Sequence, residues 1–130
     1  MPRKIVIRNE TQFIAKIIRP MLELLRWRVE KHTQRFSSGY PDLSAVKDGA
    51  TIYIEAKMWP KTPTPIQKDV LKDLSLHGAP VYVFTYVPKI NNYTIEEMYS
   101  NGITVPLTHE EFLANLELMQ LQTEEEGGDY

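Results

Sequence analysis

Asp42 and Glu55 are carboxylates with twelve residues between them, and Lys57 follows Glu55 by two positions. Brought to one surface, they offer hard oxygen ligands for a divalent cation with a positive charge beside them, the equipment of phosphate-ester chemistry. The sequence between them says how they meet. Asp48-Gly49 separates two alternating runs, and a two-residue type I′ turn, with positive φ at both central positions, favours such a pair. With the turn there, Lys47 faces Ala50, Leu43 faces Ile54 and Asp42 faces Glu55. Opposed residues have Cβ atoms about 4.5–5.5 Å apart, and Lys57 shares the face of Glu55 by the two-residue period of a strand. The other face tests this register: Leu43, Ala45, Ile52, Ile54 and Ala56 are all apolar, whereas Asp42, Ser44, Tyr53, Glu55 and Lys57 share the first. A one-residue slip buries the charges, so the pattern argues against it. A longer loop with a bulge is the competing connection.

Two carboxylates suit Mg²⁺ or Mn²⁺ rather than a soft metal, and a backbone carbonyl such as that of Ala56 can add a further oxygen. A water on such a cation is easier to ionise, and the cation neutralises charge on phosphorus. Lys57 is then placed to orient the water, to modulate its proton or to hold the phosphate, and the residue types do not choose among these. Singly, each residue has a plainer explanation. Asp42 after Pro41 is a turn residue, and Glu55 with Lys57 is a surface ion pair worth about 0–1 kcal/mol. One turn assignment, however, accounts for the opposed carboxylates, the shared lysine face and the apolar reverse face together.

The elements around the hairpin follow from caps and periodicity. Asn9-Glu10-Thr11-Gln12 has the form of a capping box, and Phe13, Ile14, Ile17, Ile18, Met21, Leu22 and Leu25 recur at helical spacing. Pro20 should kink or divide that helix. Trp27 to His32 alternates as a first strand. Trp59 to Pro63 reads as a loop, and Thr64-Pro65-Ile66-Gln67 starts a second helix with proline at its first position, ending near His77-Gly78. Val81 to Val87 is a nearly continuous apolar run, the mark of a strand buried on both faces and reached by a crossover helix, hence parallel to its predecessor. Thr108-His109-Glu110-Glu111 opens a last helix through about Leu121, and Glu124-Glu125-Glu126-Gly127-Gly128-Asp129 reads as a disordered acidic tail. The expected fold class is α/β, with a mixed sheet flanked by helices and a C-terminal acidic helix.

With 130 residues, 42% of them hydrophobic, the chain has room for one core. A single domain over residues 1–121 is expected, its core at about 9–86, with 122–130 as tail. No apolar run approaches the ~18–20 residues that span a bilayer, and Met1-Pro2-Arg3-Lys4-Ile5 lacks the apolar stretch of a secretory signal. No membrane partner is expected, and a cytoplasmic setting fits. With no cysteine, disulfides, thiolate metal sites and a cysteine nucleophile are excluded. Nothing calls for an organic cofactor. The net charge of −2 conceals an asymmetry: residues 1–72 carry 14 Lys or Arg against 7 Asp or Glu, and residues 73–130 carry 1 against 10. The basic part holds the hairpin, and such charge attracts a polyanion in a salt-dependent manner.

Pro41-Asp42 followed by Glu55-Ala56-Lys57 resembles the Pro-Asp and (Asp/Glu)-x-Lys signature of the restriction-endonuclease-like nucleases. More narrowly, the run from Trp27 through Ser38-Gly39-Tyr40-Pro41-Asp42-Leu43 and Glu55-Ala56-Lys57 to Thr64-Pro65-Ile66-Gln67 resembles the VRR-NUC, or virus-type replication-repair nuclease, domain. The likeness covers roughly residues 9 to 86. It implies a restriction-endonuclease-like αβββαβ core, metal ligation by Asp42 and Glu55, a catalytic role for Lys57, an active-site contribution from Gln67, and a reach of Glu10 to the metal site. Compact viral members are dimeric and cut branched DNA, especially four-way junctions, which for a viral chain places the activity in the host cytoplasm. Alternatives are a flap, end or RNA nuclease of the same fold and a non-catalytic DNA-binding or assembly module.

The auxiliary residues have competing roles. Gln67 occupies the third position of a capping box and can simply bond the Thr64 backbone, and Glu10 is favourable at a helix N-terminus on electrostatic grounds alone. Lys16, Arg19, Lys61 and Lys68 are candidate phosphate contacts. Trp59 either stacks on a base or fills a crevice, and the crevice is the expectation. His32, His77 and His109 are scattered, none at metal-ligand spacing.

Overall fold

Asn9 has extended backbone, and its side chain accepts the Gln12 N–H at 2.9 Å, opening α1 (Glu10–Phe13). In the computed structural model, which describes residues 5–32 and 39–127, a π-helical turn, Ile14–Ile18, joins α1 to α2 (Arg19–Leu24). The disturbance expected at Pro20 takes this form. The Arg19 N–H reaches back five residues to the Ile14 carbonyl, and Pro20 sits in the first turn of α2, where a missing N–H costs least. The run therefore continues through the proline, burying Phe13, Ile14, Ile18 and Leu22 on one side.

The strand expected at Trp27 to His32 is β1 (Arg28–Lys31), which buries Val29 and exposes Arg28 and Glu30. It pairs antiparallel with β2 (Leu43–Lys47), which pairs antiparallel with β3 (Ala50–Met58). The hairpin register is the expected one, with Lys47 opposite Ala50 and Leu43 opposite Ile54. Asp48 and Gly49 have φ of 47° and 86°, as the tight turn requires. Helix α3 (Pro65–Leu76) then crosses over to β4 (Val81–Val87), which lies parallel to β3. This is the helix, three strands, helix, strand order of the expected core.

Two strands extend it. After a 3₁₀ turn at Pro88–Ile90, β5 (Asn92–Met98) pairs antiparallel with β4, and β6 (Thr104–Leu107) with β5, giving a six-stranded mixed sheet in the order β1-β2-β3-β4-β5-β6. Pro106 is tolerated because β6 is an edge strand. Thr108 and Glu111 exchange both capping-box bonds and start α4 (His109–Gly127). The expected disordered tail is thus helical as far as Gly127: its glutamates are good helix formers, and no stop signal precedes Gly127-Gly128. Residues 128–130, like Met1 to Lys4 and Ser38, lie outside the described part.

Helices cover both faces of the sheet. Phe13, Ile14, Ile18, Leu22, Phe112 and Leu116 pack with Leu43, Ala45, Ile52, Ile54 and Ala56 into the larger core. The opposite face is closed more narrowly by α3, where Leu71 meets Val81, Val83 and Met98. The side chains of Glu55 and Lys57 emerge on this second face, at the end of β3 and beside the start of α3. No described helix is long and apolar enough to cross a membrane.

Candidate active site

The ladder between β2 and β3 stops at Leu43, while β3 runs on to Met58. Asp42 stands at this divergence and is held from two sides. Its carbonyl accepts the His32 N–H at 2.7 Å, and its carboxylate Oδ2 accepts the Ala56 N–H at 2.8 Å. In a strand the N–H and C=O of one residue leave toward the same neighbour. The Ala56 carbonyl therefore faces the same opening as Asp42, where a backbone ligand was expected.

Glu55 is 1% exposed, and its Oε2 is buried without a hydrogen-bond partner. A carboxyl in that position holds its proton tightly. Burial first, then its hydrogen bond with the Asp42 carboxylate and the repulsion of that charge, push Glu55 up to about 9, with Lys57 pulling the other way and Glu10 adding a smaller upward push. Lys57 is also buried, with Nζ 3.8 Å from Glu55 Oε1 and donating to Gln67 Oε1 at 2.8 Å. The same Gln67 oxygen accepts the Thr64 N–H at 2.9 Å, while Thr64 Oγ1 accepts the Gln67 N–H at 3.2 Å. Gln67 therefore fills both of its competing roles: it caps α3 and fastens that helix to Lys57.

An all-oxygen set of two adjacent carboxylates, one of them with an unpartnered buried oxygen, and an edge carbonyl fits a hard divalent cation. Glu10 acts at a greater remove. Its charge is felt by Glu55, but among the described residues no three His, Cys, Asp or Glu side chains gather closely enough to hold one ion.

The Gly39-Tyr40-Pro41 approach to Asp42 is locked against α3. A Cβ at Gly39, where φ is +80°, would lie 2.6 Å from Ile66 Cγ2 and 2.9 Å from the Ile66 backbone carbon and oxygen. Gly39 thus lets the loop bearing Asp42 touch the helix bearing Gln67. Gly39→Ala should destabilise the protein by about 1–3 kcal/mol, read as a lower midpoint in urea, and disturb the site along with the fold.

Sequence reasoning left a polar wall beside the carboxylates unassigned. His32 Nε2 lies 2.9 Å from Ser44 Oγ, the His32 and Tyr40 rings meet edge to face at 5.1 Å, and Tyr40 meets Tyr53 likewise at 6.1 Å. The hydrogen bond with Tyr53, ahead of burial, raises the Tyr40 phenol above its ordinary value. His32 was set aside for lack of metal-ligand spacing. Its place two residues past Glu30, the residue that lies opposite Ser44, puts it on the same face and was the available signal.

The basic candidates divide. Lys61 and Lys68 are exposed on the β3–α3 connection and the first turns of α3, with Lys68 bordering a cleft lined by Val83, Glu96 and Met98. Lys16 and Arg19 belong to the helical run on the other face, where Lys16 Nζ bonds the Val6 carbonyl at 3.3 Å and Arg19 is paired with Glu23 at 2.6 Å. Trp59 fills no crevice, contrary to expectation; it is 59% exposed. The chain matches no known family profile and no curated protein. It is similar to the solved structure of Hjc, described as a Holliday junction resolvase from an archaeal hyperthermophile, Archaeoglobus fulgidus, with a TM-score of 0.41 and 20% identity, over 60% of this chain and 72% of that one.

Proposed function

We propose that this protein is a divalent-metal-dependent DNA endonuclease of the restriction-endonuclease-like type, with branched DNA and foremost the four-way junction as its substrate. The observation that carries this reading is the buried, unpartnered Glu55 Oε2 beside Asp42, with the Lys57 ammonium alongside. Asp42, Glu55 and the Ala56 carbonyl are the groups that would hold the cation. When bound, Mg²⁺ or Mn²⁺ supplies Lewis acidity that eases ionisation of the attacking water and neutralises charge on the phosphoryl group. Lys57 spends one proton on Gln67 and stands beyond hydrogen-bond reach of Glu55, so it has donors left for a phosphate oxygen or the attacking water. Gln67, anchored by the Thr64 cap, fixes where those donors point. Lys61 and Lys68 meet the flanking phosphates, making the affinity salt-dependent. A symmetric dimer with two such sites accounts for cutting opposed strands.

The test compares a labelled four-way junction, a flap, a linear duplex and an RNA at one salt concentration, with Mg²⁺, with Mn²⁺ and with chelator. Paired nicks across the junction, appearing only with cation, are expected. Equal cutting of the duplex keeps the chemistry and removes the preference for branches, whereas DNA binding without cutting under any cation moves the protein to the binding modules.

A further inference from the structure

Trp59 is a large aromatic side chain, 59% exposed, two residues beyond the lysine of the site. An isolated exposed apolar residue means little. This one stands on a fixed stretch of main chain. Its backbone N–H donates to the Tyr86 carbonyl at 2.8 Å, which ties residue 59 to β4, and the Lys61 backbone N–H closes a turn onto the Met58 carbonyl at 2.9 Å. The same turn carries Pro60 and the exposed Lys61. An aromatic face and a cation, held on a short turn contiguous with the strand that bears Glu55 and Lys57, are the two components with which proteins take hold of unpaired nucleotides.

We infer that Trp59 is a stacking platform for a base left unstacked at a branch point, and that it thereby sets the preference of the site for branched over continuous DNA. This rests on the reading of the site as a DNA-cutting centre and adds the feature of the substrate that is recognised. Within an uninterrupted duplex each base is covered on both faces, so an external tryptophan gains nothing there. At a branch a base face is open, and stacking on it seats the neighbouring phosphate toward Lys57. Trp59 is a specificity residue in this scheme and takes no part in the bond-breaking step.

The composition supplies a direct probe, because the chain has two tryptophans and the other, Trp27, is 3% exposed. Fluorescence changes on adding DNA therefore report Trp59. The experiment titrates the full chain, in chelator so that nothing is cut, with a four-way junction and with a linear duplex of the same length. Quenching by the junction and not by the duplex is expected. Trp59→Ala should abolish the quench and lower junction affinity about ten- to one-hundredfold while leaving duplex affinity unchanged, and Trp59→Phe should recover most of the preference. An unaltered junction preference in Trp59→Ala, with its melting temperature retained, overturns the proposal. Quenching by the junction without any cleavage after cation is added supports the platform and sinks the nuclease reading instead, so the two failures are told apart.

Discussion

Asp42→Asn is expected to lower junction cleavage by about three orders of magnitude or more while DNA binding in chelator stays within about twofold. The size follows from the several kcal/mol of charge stabilisation that a divalent cation contributes to phosphoryl chemistry, at 1.36 kcal/mol per factor of ten. The selectivity follows from geometry. Asparagine keeps an oxygen to accept the Ala56 N–H, so the divergence of β2 from β3 and the His32 contact to the Asp42 carbonyl are preserved. What is lost is one of the two negative charges that draw the cation in. Single-turnover cleavage with saturating enzyme, alongside a binding titration without cation, separates these terms. Full activity in a clean Asp42→Asn preparation would remove Asp42 from the chemistry and the functional reading with it.

The hairpin was legible because each of its determinants is local. Asp48-Gly49 sets the turn, and the run of small and branched apolar residues from Leu43 to Ala56 can be buried in one register only. The parallel placement of β4 was legible for the same kind of reason, since a capped twelve-residue helix between two apolar strands leaves a crossover as the short connection. β5 and β6 were not. Their residues mix Glu, Thr and Pro with the apolar ones, and Pro106 reads as a breaker until the topology shows that β6 is an edge.

Within the site, the sequence placed Asp42, Glu55 and Lys57 on one face but gave no measure of depth. The burial of Glu55 comes from long-range packing: α3 closes over this face, and Gly39 brings the Asp42 loop against Ile66. The double role of Gln67 was illegible for a related reason. A capping box is a local pattern, whereas contact with Lys57 depends on where α3 lands on the sheet. The exposure of Trp59 runs the other way, because tryptophan is ordinarily well covered and only the turn between Met58 and Lys61 shows that this one is not.

Glu55→Gln is expected to abolish cleavage to the same degree and yet to raise the stability of the cation-free protein. In the cation-free fold the carboxyl is buried, lacks a partner at Oε2 and faces Asp42, which together raise it from 4.5 to about 9. Between those two values the folded protein holds a proton that the unfolded chain has released, so stability falls as pH rises through the window. The stabilising contribution is fully present below pH 4.5 and is lost as the pH passes the folded value. Glutamine removes the ionisation and with it this dependence, so its gain over the parent protein should grow with pH inside the window, by at most about 1.4 kcal/mol per pH unit. Urea unfolding in chelator across pH 5 to 8.5, an interval inside that window, checks both the slope and its disappearance in the variant. A cation must displace the same proton, so for the parent protein Mg²⁺ binding should release protons into a weakly buffered solution and tighten as pH rises toward 9. A variant that is more stable without cation, free of the Glu55 pH slope and inactive is what a carboxylate kept for a metal, rather than for the fold, predicts. Loss of stability in Glu55→Gln would instead place Glu55 among the residues that hold the structure together.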